Sequence, residues 1–293
     1  MQDSIDVVVV GRVNIDLTVR VPFRPTSGQT AVASAMTATP GGKSLNQAMT
    51  AAGLGGRIAL VAHAGDDVWG RQLAAALAEA GVDTSCFRLL AGAATGAAIV
   101  EVAPDGETSI VLAVSADTEL VSEDIEQALT RFAAPVVVQL DLPPAALTAV
   151  ATLPRPRPVI GNLVPSPGVD ARLLQRLDMI VVNQQEAAAI LDKPSVDPVV
   201  AAQELRRLGP AAAVVTAGAA GAAYSYVGGS DMIAAAHVAV VDTAGAGDAF
   251  LGSLALDLSR GAALAPAVAR AVRVGSDAVQ HHGANPAGWV RRA

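Results

Sequence analysis

Cysteine, lysine, histidine and aromatic residues are all scarce in this 293-residue chain, and each shortage excludes something. Cys86 is the single cysteine, so neither an intrachain disulfide nor a thiolate metal cluster can form. The histidines are His63, His237, His281 and His282, and none falls in an HxxxH or HExxH spacing, which argues against zinc. His281 and His282 are adjacent, and adjacent side chains diverge on a helix. Aromatic residues make up 3% of the chain, too few for a broad surface on which bases stack. The formal charge of −7 makes nucleic acid a poor partner, because holding a phosphate backbone calls for basic surface. Long hydrophobic runs are missing too. The apolar fraction of 52% is largely Ala and Val, and even the bland stretch 211–229 is broken by Thr216, Ser225 and several glycines. Nothing resembles a membrane span of about 20 apolar residues. The start, MQDSIDVVVVG, lacks the positive segment of a signal peptide. These absences point to a cytoplasmic, reduced protein with no membrane partner. Lys43 and Lys193 are the only lysines, so a lysine inside a motif stands out.

What is present is an alternation of short β-branched runs with Ala-rich helical segments. Residues 5–10, 58–63, 135–140, 158–161, 179–182 and 213–216 read as buried strands. Residues 46–56, 67–80, 122–131, 145–152, 171–177, 184–191, 198–208, 248–260 and 266–280 read as helices. This alternation predicts an α/β fold, with a mostly parallel central sheet covered by helices on both faces. Two stretches break the rhythm. Residues 16–21 and 30–37 alternate apolar and polar with no helix between them, and 95–102 and 108–114 are joined by the turn signal Pro104-Asp105-Gly106. These four strands predict a small antiparallel β lid, inserted at about 12–38 and 95–114. The PRPRP run at 154–158 reads as a stiff connector, and Trp69 and Trp289 as packing residues.

The strongest chemical signal is DTAGAGDAF, Asp242 to Phe250, after a strand-like stretch at 236–241 and before a helix. Small residues let the chain turn tightly and bring N–H groups to a ligand at a helix N-terminus, where an anion is favoured. Asp248 stands at the rim of this cradle, where it can accept a proton from an attacking hydroxyl. Its plainer alternative is a helix cap. The second signal is GGKSLNQA, residues 41–48. It is not a P-loop, because the first glycine of that motif would fall on Thr37. It sets two glycines and Asn46 where backbone and amide can lie against a polyol. Asn14 and Asp16 are two apart, on one face of an extended segment. Asp141, Asn183 with Glu186, and Thr216 with Gly218 and Gly221 each follow a predicted strand, where ligands of open α/β sheets bind. Glu186 at such a place can serve a water-shelled Mg²⁺.

Taken together, these residues resemble the ribokinase (PfkB-type) carbohydrate kinase family. The resemblance runs from Gly11 to about Trp289 and includes Gly65–Asp67 (GDD) and Gly283–Pro286 (GANP). It implies one ribokinase-like α/β domain over 1–293 that phosphorylates a hydroxymethyl group of a small sugar with ATP. It further implies Asp248 as catalytic base and residues 244–247 (Ala244, Gly245, Ala246, Gly247) as anion hole. Asn14, Asp16, Gly42, Lys43, Asn46 and Asp141 would line the sugar site. Asn183, Thr216, Gly218, Gly221 and Gly247 would serve the nucleotide, and Glu186 the Mg²⁺ shell. Oxygens of Asp242, Ala244, Ala278, His281 and Gly283 would hold a monovalent cation, K⁺, and the lid strands would join a homodimer. Three departures bear on the substrate. Ser44-Leu45 replaces the usual Gly-Ala and is expected to narrow the sugar pocket, Asp141 replaces the usual Glu, and Val272 stands where a polar or ring-bearing residue often faces adenine. A nucleoside or fructose kinase of the same family, and a non-catalytic sugar-binding protein, are the alternatives. A sugar-phosphate kinase would need arginines such as Arg12 to hold the second phosphate.

Overall fold

Four consecutive valines form β1 (Val7–Val10), all buried. A run with no polar face needs cover on both sides. Val7 and Val9 pack into one core with Leu45, Met49 and Phe250, while Val8 and Val10 enter another with Ile125, Leu129 and Leu205. The computed structural model describes residues 4–104, 108–154, 157–162 and 171–284. Within them, β1 pairs in parallel with β4 (Ile58–Gly65) on one side and β8 (Val136–Gln139) on the other. The parallel ladder runs on through β9 (Val159–Asn162), β10 (Met179–Asn183) and β11 (Ala212–Thr216), and past β4 to β5 (Asp83–Leu90). Antiparallel β12 (Ala222–Tyr226) and β13 (Gly229–Ile233) close one edge. The order is β13-β12-β11-β10-β9-β8-β1-β4-β5.

One face of this sheet carries α1 (Lys43–Gly53), α2 (Val68–Glu79), α8 (Ala246–Ser259) and α9 (Leu264–Ala278), through Leu45, Leu73, Leu254 and Val268 among others. The other face carries α3 (Ser122–Arg131), α4 (Pro144–Ala151), α5 (Ala171–Arg176), α6 (Gln184–Ile190) and α7 (Pro198–Arg207), through Ile125, Ala146, Leu173, Ala187 and Leu205. Among the described residues no helix is long and apolar enough to cross a membrane. A separate four-stranded sheet, ordered β3-β2-β6-β7, forms the lid from β2 (Asn14–Arg20), β3 (Ala35–Gly41), β6 (Ala97–Val102) and β7 (Thr108–Ala113).

The mostly parallel sheet, its two helical layers and the lid follow the sequence pattern. Three features differ. Residues 236–241 form no strand; they pass along α9 as a loop, tied by the Val241 and Asp242 N–H groups donating to the Val279 carbonyl. Their alternation has no neighbouring strand to pair with. The second lid strand begins at Ala35 rather than near residue 30. Inside the otherwise antiparallel lid, β2 and β6 pair in parallel, because the two lid insertions leave the core side by side. The edge strands β5, β12 and β13 were not legible: β5 mixes polar and apolar residues, and β12 and β13 are rich in Ala, Ser and Gly, which carry little strand preference. The turn at 105–106, residues 155–156 of the Pro-rich run, and residues 285–286 with Trp289 lie outside the described residues.

What positions the chemistry is the contact of α8 with α1. A Cβ added at Gly252 of α8 would lie 2.6 Å from the Gln47 carbonyl oxygen and 3.1 Å from Thr50 Cβ. Only hydrogen fits there, so the helices approach backbone to backbone. Gly252→Ala is expected to force them apart at a cost of roughly 1–3 kcal/mol. A lowered midpoint in thermal unfolding, with turnover falling together with stability, is the result to look for; wild-type values of both would show that the contact has slack.

Candidate active site

α8 begins with an unusual turn. Gly245, its N-cap, takes φ 75°, a left-handed conformation that glycine adopts without strain. A Cβ there would also lie 2.6 Å from the Ala284 Cα, so the turn is pressed against the chain that follows α9. Asp242 staples the two segments: Oδ1 accepts from the Ala244 N–H and Oδ2 from the Gly283 N–H, both at 2.9 Å. No side chain caps α8; its first N–H, that of Ala246, reaches the Thr243 carbonyl only at 3.4 Å, at the positive end of the helix dipole. A Cβ at Gly247 would meet no heavy atom within 4 Å, which leaves room for an anion over this cradle.

Asp248 follows in the first turn. Gln47 Nε2 donates to its Oδ1 at 3.0 Å and Asn46 Nδ2 to its Oδ2 at 3.2 Å. Gln47 was not singled out from sequence; it is the neighbour of Asn46, and the carboxylate is wide enough to take one donor from each. Asp248 keeps some surface open to a cavity, but burial pushes its carboxyl above the usual carboxylate range, offset in part by the Lys43 charge and by the Gln47 and Asn46 amides. Lys43, at the start of α1, also lies 3.6 Å from Glu186 Oε1. Glu186 is 4% exposed. Its Oε2 accepts from the Asn183 N–H while Asn183 Oδ1 accepts from the Glu186 N–H, each at 2.8 Å, a reciprocal cap of α6.

Asp248 lines the first of two cavities, and the residue before it, Gly247, lines the second. The first, about 260 Å³, runs between lid and core, and Asn14, Asp16, Gly42, Lys43, Asn46, Asp141 and Asp248 all line it. Asn14 Nδ2 donates to Asp16 Oδ1 at 2.6 Å, and burial raises the Asp16 carboxyl above its usual range against that bond. The lid contributes Ile110 and Leu112 to the same wall. Leu45 does not narrow this cavity: it is 0% exposed, in the core, and the cavity wall does not include it. Its neighbour Ser44 donates to Gln139 Oε1 at 2.7 Å. His63, also on the wall, sits 3.3 Å from Asp124 Oδ1, and burial holds its imidazole below the usual range, hence neutral at pH 7. Neither His63 nor Glu119, which pairs with Arg12 at the same wall, was marked by any sequence pattern.

The second cavity, about 330 Å³, lies against Ala246 and Gly247 of the cradle. Thr216, Gly218, Gly221, Ala246, Gly247 and Val272 line it, joined by His237 and Phe250. Asn183 and Glu186 line neither cavity; they approach the site through Lys43. Ala278 and His281 lie where the Ala278 carbonyl accepts the His281 N–H at 3.1 Å, in the segment stapled to Asp242 and Ala244. Two cavities lined by consecutive residues, Asp248 for the first and Gly247 at the helix N-terminus for the second, suit group transfer between two ligands.

The profile of the pfkB family carbohydrate kinases matches residues 4–289, and the chain belongs to that family. Ribokinase of Haemophilus influenzae is 31% identical over 251 residues, spanning 83% of this chain and 82% of that one. Among solved structures, ribokinase of Thermotoga maritima superposes with TM-score 0.86 at 27% identity, covering 95% of this chain and 94% of its own. Ribokinase of Arabidopsis thaliana, solved with ribose and ATP, gives TM-score 0.86 at 27% identity over 97% of this chain and 95% of its own.

Replacing Asp248 separates its chemistry from its structural cost. Because the folded carboxyl sits above its unfolded value, the folded state binds the proton more tightly, and the penalty is complete once pH exceeds the folded value. Asp248→Asn is therefore expected to raise the melting temperature at neutral pH while cutting turnover by roughly 10²–10⁴-fold. Turnover within about threefold of wild type would remove Asp248 from the role of base.

Proposed function

We propose that this chain transfers the γ-phosphoryl group of ATP to the hydroxymethyl group of a small, ribose-like sugar. The observation that carries this reading is the place of Asp248, on the wall of a lid-covered polar cavity and one residue from Gly247, which lines a second cavity at the N-terminus of α8. Phosphoryl transfer asks for positioning and charge stabilisation more than for covalent help. Asn14, Asp16 and Asn46 would hold the sugar hydroxyls. Asp248 would accept the proton of the hydroxymethyl group as its oxygen attacks, and a carboxyl raised by burial is a better base than an exposed one. The amides at 245–247 would face the charge that develops on the phosphoryl oxygens. The lid would exclude water as a competing nucleophile.

The small apolar lining around Val272, with Thr216, Gly218 and Gly221, suits a nucleotide. Asn183 would support it only indirectly, since its side chain caps α6. Glu186 turns one oxygen toward Lys43 and suits a Mg²⁺ ion held through water. When bound, that ion neutralises phosphate charge. The oxygens of Asp242, Ala244, Ala278, His281 and Gly283 lie on the two stapled segments and suit K⁺, which would stiffen the turn carrying the anion cradle. Ile99 and Val111 pair across the lid and stay exposed, which supports a homodimer joined through these strands. We read 1–293 as one ribokinase-like unit, and use of ATP suits a cytoplasmic enzyme.

Two measurements test this. ADP release with ribose, 2-deoxyribose, fructose and adenosine as acceptors should give ribose the highest kcat/KM; a higher value for adenosine or fructose would move the substrate to that class, and no turnover with any of them would leave a binding protein. With the preferred sugar, KCl should give faster turnover than NaCl, and Asp242→Ala should abolish the difference. Equal rates in both salts would discard the cation.

A further inference from the structure

Arg12 stands between β1 and the first lid strand, and Glu119 follows the last lid strand after a short turn, Ala116–Thr118. Asp141 lies just past β8, in the body of the protein. The Arg12 guanidinium joins the other two. Its Nε donates to Glu119 Oε1 at 2.8 Å, its Nη2 lies 2.7 Å from the same oxygen, and its Nη1 donates to Asp141 Oδ2 at 2.6 Å. All three residues line the lid-covered cavity. One cation therefore faces two carboxylates, and a negative charge is left over at this wall. Around the whole cavity, Arg12 and Lys43 face Asp16, Glu119, Asp141 and Asp248. Each bridged carboxylate also keeps one shielded oxygen, Glu119 Oε2 and Asp141 Oδ1, that no donor among the described residues reaches. A buried charged acceptor without a donor is costly, so this wall calls for hydrogen-bond donors.

We propose that the Arg12–Glu119–Asp141 bridge is a specificity element that admits an uncharged, hydroxyl-rich end of the substrate and rejects a carboxylate or phosphate there. The proposal rests on the sugar-kinase reading and narrows its substrate class. An arginine in a sugar cavity ordinarily signals anion recognition, because its planar fork matches a carboxylate or phosphate. Here the fork is occupied by the protein's own carboxylates. Arg12 acts as a positioning residue: it fixes Asp141 by one oxygen and leaves the other for a substrate hydroxyl. A sugar hydroxyl brings a proton to that oxygen. An ionised group brings only acceptors to a wall that already carries excess negative charge. Because Arg12 and Glu119 sit at the two roots of the lid, the bridge also ties the lid to the strand end that carries Asp141.

D-ribose and D-ribonate differ at the end remote from the hydroxymethyl group and are the probes. Calorimetric titration reads their affinities for the wild type, Glu119→Gln and Asp141→Asn, each checked for cooperative unfolding; ribose turnover is followed separately. The wild type should prefer ribose by about 100-fold or more, the scale of a like-charge contact. Either variant removes one negative charge and keeps an acceptor for Arg12. Both should narrow the preference at least about tenfold, chiefly by tightening ribonate, and weaker ribose use should appear in KM rather than kcat. A wild type that binds the two equally, or an unchanged preference in both folded variants, overturns the proposal. Absent turnover of any neutral sugar would count against the kinase reading alone, since the affinity ratio still decides the bridge.

Discussion

Two amide hydrogens from α1, given by Asn46 and Gln47, hold the Asp248 carboxylate at 3.2 and 3.0 Å, and the remaining geometry of the site depends on that grip. The bonds exist only because α1 and α8 touch backbone to backbone at Gly252. The touch in turn needs both helices seated on one face of the sheet, where Leu45, Met49, Phe250 and Leu254 share a core with Val7 and Val9 of β1. The position of this carboxylate is thus set by two layers of packing. Burial raises its proton affinity while Lys43 and the two amides limit the rise, so the carboxylate is a stronger base than an exposed one.

Charge is distributed unevenly around this carboxylate. The walls of the lid-covered cavity are rich in acceptors: Asp16, Glu119 and Asp141. The second cavity has the N-terminus of α8 and a largely apolar lining. Hydroxyls suit the first and phosphates the second, so a polyol and a nucleoside polyphosphate would sort themselves into opposite cavities before any chemistry begins. Lys43, between Asp248 and Glu186, is the one lysine on the wall of the lid-covered cavity. Its isolation in a chain with only two lysines is in keeping with that position.

Much of this was readable from the amino-acid order, for identifiable reasons. Strands buried on both faces declare themselves as runs such as VVVV and PVVVQL, and the glycine-rich turn before Asp248 marks the start of α8. Asn14 and Asp16 meet as their spacing implied. Other features depend on partners distant in sequence. The Arg12–Glu119 contact spans 107 residues and Gln47–Asp248 spans 201, and no local pattern carries either. Residues 236–241 alternate like a strand but have no neighbour to pair with. Leu45 sits in a motif that lines the lid-covered cavity, yet its own side chain turns into the core, because successive helix positions point about 100° apart.

The central claim is that Asp248 faces the terminal hydroxymethyl group of a ribose-like sugar while the phosphoryl donor sits on the α8 cradle. The most direct test follows the position of the transferred group. Ribose labelled with ¹³C at C5 is incubated with ATP and the enzyme, and the product is examined by ¹³C and ³¹P NMR. Phosphorus coupling to the labelled carbon is the result expected. A phosphoryl group bonded elsewhere on the sugar, or release of inorganic phosphate alone, would contradict the arrangement.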